Sequence, residues 1–247
     1  EAGPAQMEIN LLHGDPVTIS DQAFLFKRAT RETALQHKMY ATFMAKPMEK
    51  EPGSAMHIHQ SVIDIERGEN VFSSASGEAS RLFFAHIAGL QRYLPAAMSL
   101  LAPNVNSYRR LIRYHAAPIN VHWGYDNRTV GLRVPDSAPQ SRRIENRVPG
   151  ADANPYLVVA ASLACGLLGM IDDLEPSDPV IDSAYDRPYD LPRNLEQALD
   201  ALRDCGPLKE LLGERFVTAY NAVKENEYST FLQVISSWER EHLLLNV

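Results

Sequence analysis

An α+β fold, with an antiparallel sheet carrying polar motifs and helices packed outside it, is what this 247-residue sequence predicts. Three observations predict it. Short alternating runs appear near the N-terminus and again in a middle third (103–149) rich in Pro, Asn, Gly and Arg. An unbroken apolar run, "YLVVAASLACGLLGMI" from Tyr156 to Ile171, has helical length. Beyond it, capping and periodicity stay helical to the end of the sequence.

The elements follow in order. Gly3-Pro4 predicts a turn that leaves Glu1 on its far side. "QMEINLL", residues 6–12, alternates, with Glu8 and Asn10 on one face and Met7, Ile9 and Leu11 on the other, which predicts a half-buried strand. A helix is expected from about Ser20 to His37, then strands over "MYATFM" (39–44) and "AMHIHQSVI" (55–63). In "GEASRLFFAHIAGLQRYL", Phe83, Ile87, Leu90 and Leu94 recur at helical spacing, so the segment predicts an amphipathic helix. "TVGLRVP" and "RRIENRVP" are strand-like runs among long loops, where binding residues tend to sit. Asn154-Pro155 caps the apolar run as a buried core helix. A Pro/Asp-rich loop (175–192) and three further helices complete the pattern, with Asn194 capping the first and Gly206-Pro207 separating it from the next.

Composition narrows the function classes. With 45% hydrophobic and 22% charged residues the chain can bury a sizeable core in one domain. A net charge of -7 argues against nucleic acid as a partner. The apolar run is too short for a comfortable membrane span, so no membrane partner is expected. Cys165 and Cys205 form neither a disulfide framework nor a CxxC site, which points to a reducing, cytoplasmic compartment. No signal peptide is visible, although the sequence opens at Glu1 without an initiator methionine.

The chemistry sits in four segments. His57 and His59 in "GSAMHIHQS" share a face if that stretch is a strand, about 6–7 Å apart. Alone, the pair is better read as two ordinary histidines on a polar face. Between Arg109 and Arg147 stand eight arginines and no lysine. Guanidinium forks suit a small anionic ligand, while a solvated face with scattered ion pairs explains them equally well. Taken together, Glu1 and Glu8, His57 and His59, Arg110 with Arg128 and Arg133, and Glu145 with Arg147 could converge. Three carboxylates and a histidine can hold Mg²⁺ or Mn²⁺. Beside arginines, such a face is the equipment of phosphoryl transfer. His13, His37, His86 and His242 show no partner pattern.

"EAGPAQMEIN", "TFMAKP", "GSAMHIHQS", "NSYRRL", "DNRTVGLRVP" and "SRRIENRVPGADANPYL" resemble the successive motifs of the glutamine synthetase family, in order, from Glu1 to about Leu157. The resemblance implies that family's curved sheet bearing the active site, and formation of a γ-glutamyl phosphate from glutamate and ATP that a nitrogen nucleophile then attacks. By motif, Glu1 and Glu8 would bind the metal on the glutamate side, and His57 and Glu145 the metal bridging the ATP phosphates. His59 and Ser61 would contact ATP, and the Gly53 backbone would approach glutamate. Arg110 and Arg147 would hold glutamate and the transferred phosphoryl, and Arg128 and Arg133 would face the ATP phosphates, which makes Arg110 and Arg128 the expected catalytic arginines. Arg109, Arg113 and Arg142 match no such role. Tyr189 in "PYDLP" resembles a tyrosine that some bacterial relatives adenylylate, but its surroundings match poorly. A large, dodecamer-like homo-oligomer is also implied for the complete protein.

The sequence departs from the family pattern in three ways. A Glu-x-Glu strand and a small β-domain are expected upstream of Glu1, so residues 1–247 read as a catalytic domain incomplete at its N-terminus, and inactive alone. Pro52 and Gln140 stand where asparagine and lysine are usual. Ala116 stands where the flap normally carries a glutamate that takes a proton from ammonium. The γ-glutamyl-polyamine synthetase branch is therefore the most similar, with an amine such as putrescine as acceptor. Glutamine synthetase using ammonia, and a non-catalytic structural member, are the alternatives.

Overall fold

The computed structural model describes residues 1–247, and its first regular element is a helix rather than a strand. Residues 6–12 form no regular element and join no sheet, and Met7, Ile9 and Leu12 are exposed. The half-buried strand expected there does not form. Alternation specifies two faces, but a strand also needs a neighbouring edge to take its N–H and C=O groups, and no strand of this chain offers one. The same holds for 39–44. The Gly3-Pro4 turn does form, closed by the Gln6 N–H donating to the Gly3 carbonyl at 3.1 Å.

Helix α1 (Pro16–Gln36) starts four residues before the expected point. Asp15 caps it, its carboxylate accepting from the N–H groups of Val17 and Thr18 at 3.1 Å. Strand β1 (Ile58–Gln60), helix α2 (Arg81–Leu101), the single turn α3 (Val105–Tyr108), and strands β2 (Trp123–Tyr125), β3 (Leu132–Val134) and β4 (Ile144–Asn146) follow. Helix α4 (Pro155–Ile171) is the expected core helix, with the Asn154 side chain capping it and Pro155 in its first turn. Four helices come after it, not three: α5 (Leu195–Asp204), α6 (Gly206–Leu212), α7 (Glu214–Phe231) and α8 (Ser237–Leu243). The last is set off by a capping box between Ser236 and Glu239. No helix is long and apolar enough to cross a membrane.

The sheet order is β1-β4-β3-β2. The β1–β4 and β4–β3 pairs are antiparallel as expected, whereas β2 lies parallel to β3. The register sorts the side chains into two faces. Ile58, Gln60, Leu132, Val134, Ile144 and Asn146 alternate with His59, Arg133 and Glu145, and the first set points to the core with α2 and α4. Below the sheet, Asn146 donates to the Ser162 hydroxyl at 3.0 Å, and Ser162 donates to Gln60 at 2.5 Å. Gln60 in turn meets His86. Burial pushes the His86 imidazole down to about 4, so it is a neutral core residue with its polar atoms satisfied.

Helices α2 and α4 cross at glycines. A Cβ on Gly89 would lie 2.3 Å from the Cys165 carbonyl oxygen, and one on Gly169 would lie 2.2 Å from that of Ala85. Both obstacles are backbone, so neither can swing aside. Gly89→Ala is expected to force the helices apart and cost about 3 kcal/mol, read as a lowered urea midpoint. A midpoint unchanged within error would mean the crossing is not the rigid centre of the core.

Candidate active site

The polar face of the sheet gathers the histidine, glutamate and arginine motifs by strand register alone. Residue 59 pairs with 145 across β1–β4, and 133 pairs with 145 across β3–β4, so His59, Glu145 and Arg133 form one row. Stepping two residues along each strand brings His57 and Arg147 onto the same face.

Glu145 is the hub. It is buried, and its carboxylate accepts from Arg147 at 2.6 Å and Arg133 at 2.7 Å, while His57 Nδ1 lies 3.1 Å away. Burial alone would raise its pKa; the hydrogen bonds from His57 and Arg133 and the charge of Arg147 outweigh this and hold it well below the usual carboxylate range. Glu145 is therefore anionic. Burial lowers the pKa of His57 and outweighs the opposing pull of Glu145, and Arg147 and Arg110 push the same way. His57 is thus kept neutral, the form that binds a metal.

Arg110, just after α3, is 2% exposed. Its stem passes directly over Gly53, where a Cβ would sit 2.5 Å from Arg110 Cγ, so that position has to be glycine. The guanidinium donates to the Val148 carbonyl but has no carboxylate partner in the chain, and its buried Nε bonds nothing. Burial lowers its pKa to about 10, so it still carries its charge at neutral pH. The Nε of buried Arg147 is also unpartnered. Two buried guanidiniums with spare donors are equipped to receive an anion.

The N-terminal segment supplies two more carboxylates. Gln6 ties it to the histidine loop, donating to the Gly53 carbonyl at 3.0 Å and the Ser54 hydroxyl at 3.1 Å. Glu1 and Glu8 lie against each other, and their mutual interaction lowers the pKa of Glu1 and raises that of Glu8. His57 also acts electrostatically on Glu1, and Glu145 on Glu8. The four expected metal ligands thus stand as two pairs on one side of the face, and no three acidic, histidine or cysteine side chains form a metal-holding cluster. By chemistry they fit a hard divalent cation: two neighbouring carboxylates, a neutral imidazole and a firmly anionic carboxylate.

The remaining expected residues are placed at the rim. Ser61 and Arg128 are exposed and make no side-chain hydrogen bond within the chain. Arg133 bridges Glu145 and Asp126. His59 is exposed and accepts from Arg143 at 3.3 Å. Arg143 was not singled out by sequence, although it shares odd parity with Glu145 on β4 and with Arg147 just past its end. Arg142, which matches no expected site role, donates to the carbonyls of Phe72, Gly77 and Glu78 and to the Ser73 hydroxyl, pinning a surface loop. Tyr185 was also missed. It is buried and feels the charges of Arg110 and Arg147.

A model of the glutamine synthetase catalytic domain matches residues 1–243. "Gamma-glutamylputrescine synthetase PuuA" of Escherichia coli (strain K12) is 44% identical over 248 residues, covering 100% of this chain and 52% of the relative. "Glutamate--isopropylamine ligase" of a Pseudomonas species is 38% identical over 97% of this chain and 53% of its own length. "Glutamine synthetase" of Halobacterium salinarum is 36% identical over 99% of this chain and 56% of its own length. The chain thus spans about half the length of the curated relatives it matches. Among solved structures, "Apo GmaS without ligand" superposes with a TM-score of 0.84 at 31% identity, over 94% of this chain and 54% of that one. On fold, motif order and these similarities together, the chain belongs to the glutamine synthetase family and carries that family's catalytic-domain fold.

Proposed function

We propose that the complete enzyme joins the γ-carboxylate of glutamate to a primary amine, at the expense of ATP. Buried Arg110, whose guanidinium beside Gly53 bonds only the Val148 carbonyl, is the single observation that carries the reading, because it needs an anion and the chain supplies no carboxylate partner. A γ-carboxylate oxygen attacks the terminal phosphorus of ATP, ADP leaves, and a γ-glutamyl phosphate forms. The amine nitrogen then attacks the acyl carbon, inorganic phosphate departs with that oxygen, and the nitrogen sheds a proton. Arg110 and Arg147 are suited to orient glutamate and the phosphoryl group, and Arg128 and Arg133, with His59 and Ser61, to line the nucleotide. Mg²⁺ or Mn²⁺ on Glu1, Glu8, His57 and Glu145 would neutralise phosphate charge when bound.

Because the relatives are about twice as long, a preceding Glu-x-Glu strand and β-domain are proposed to complete each metal site, with the isolated 247 residues inactive. Exposed Phe231, Leu232, Trp238, Leu244 and Leu245 support a homo-oligomer. Two unpaired thiols support a cytoplasmic setting.

Ala116 favours an amine over ammonia as acceptor: it is exposed on the loop after Arg110, and offers no carboxylate to ammonium. Two relatives named for amine acceptors support the same choice. The test is glutamate-dependent phosphate release with ammonium, putrescine and isopropylamine at matched concentrations. An amine is expected to give the highest kcat/KM, and Ala116→Glu to lower the amine rate. If ammonium wins, the chain is a glutamine synthetase.

A further inference from the structure

The loop bearing Ala116 is strapped to the segment 184–189. The Tyr114 ring lies 5.2 Å from that of Tyr185, tilted at 59°, and the Tyr114 hydroxyl donates to Asp186 at 3.5 Å. Arg113 donates to the Arg187 carbonyl at 3.1 Å and stands 5.1 Å over the Tyr189 ring. Tyr114 and Ala116 hold left-handed backbone, with φ of 63° and 58°, so the loop keeps a shape that non-glycine residues disfavour. The strap offsets that cost. Its aromatic pair also has an inner and an outer end. Tyr185 is 8% exposed, lies within the field of Arg110 and Arg147, and its hydroxyl bonds nothing in the chain. Tyr114 is 70% exposed.

We propose that Tyr114 and Tyr185 form the wall of the acceptor pocket, an aromatic surface that selects a protonated alkylamine by its charge and its methylenes. The proposal rests on the ligase reading above and names which residues choose the acceptor. A primary amine arrives as a cation with an apolar stem. An aromatic face attracts the first and covers the second, whereas ammonium has no stem to cover. Glutamate held by Arg110 offsets the arginine charge that would otherwise repel it. Ala116 leaves the room and the tyrosines line it.

The test uses the complete enzyme, varying putrescine, ammonium or glutamate in turn with the other substrates saturating. Tyr114→Leu and Tyr185→Leu are each expected to raise KM for putrescine about tenfold, in line with a lost cation–π contact. KM for glutamate and for ammonium should stay within about twofold, and Tyr185→Phe, which keeps the ring, should raise the putrescine KM far less than Tyr185→Leu. An unchanged putrescine KM in Tyr114→Leu, whose exposed ring can be removed without harm to the core, overturns the proposal. So does a glutamate KM that rises in parallel, which would put Tyr185 on the glutamate side. No glutamate-dependent phosphate release by the wild type with any acceptor removes the ligase reading and the proposal with it.

Discussion

Arg110→Met is expected to lower glutamate-dependent phosphate release by about 10³-fold while leaving the fold at least as stable. The two halves of this result come from one observation. The guanidinium is fully buried, has no carboxylate partner and leaves Nε unbonded, so its desolvation is not repaid within the protein. Methionine fills similar space without that penalty and suits an irregular gap. The substrate loses its buried cation, and charge-assisted contacts of this kind are worth several kcal/mol, hence the expected factor. Activity and urea midpoint measured on the same preparation decide it. A sharp fall in stability, with activity lost only in proportion to unfolded protein, would make Arg110 a strut rather than a ligand.

His57→Ala is the second large effect. The side chain is 30% exposed and its one charged partner is Glu145, which keeps Arg133 and Arg147 when the imidazole goes. The fold should therefore survive. Phosphoryl transfer should fall by more than about 10²-fold, above the 10–100-fold typical of residues that only support a metal ligand. The loss should be partly relieved by raising Mn²⁺, because weakened metal binding can be overcome by concentration. Isothermal titration with Mn²⁺ in the presence of ATP, beside the rate assay, separates this from a packing defect. Normal turnover at ordinary metal concentration would contradict the assignment. Glu145→Gln makes a useful contrast, since it leaves buried Arg147 without its carboxylate partner and should cost stability as well as rate.

The site was legible where a short strand and a period of two suffice. His57, His59, Arg133, Glu145 and Arg147 share odd positions, and the register of β1, β3 and β4 turns that parity into one face. Arg143 obeys the same parity and could have been found by it. The N-terminal stretch shows the limit of the rule: Glu8 alternates correctly with Met7 and Ile9, yet alternation says nothing of what lies alongside. Strand β2 was hidden because Trp123-Gly124-Tyr125 is three residues long with a glycine at its centre, and its parallel pairing to β3 is a tertiary matter. Tyr185 carried no periodic signal at all. It sits on a single 3₁₀ turn in a Pro/Asp-rich loop, and only the fold returns that loop to Arg110 and Tyr114. The buried helix α4 and the amphipathic helix α2 were the plainest elements, because long apolar periodicity leaves a chain few alternatives.

The most direct test of the proposed chemistry follows an oxygen atom. If the γ-carboxylate attacks ATP and the amine then displaces phosphate, one carboxylate oxygen must leave on the phosphate. The complete enzyme, supplied with ATP, putrescine and glutamate carrying ¹⁸O in its γ-carboxylate, should release inorganic phosphate bearing one ¹⁸O per amide formed, as read by mass spectrometry. Phosphate without label, alongside amide formation, would show that no γ-glutamyl phosphate is made on this face and would contradict the account.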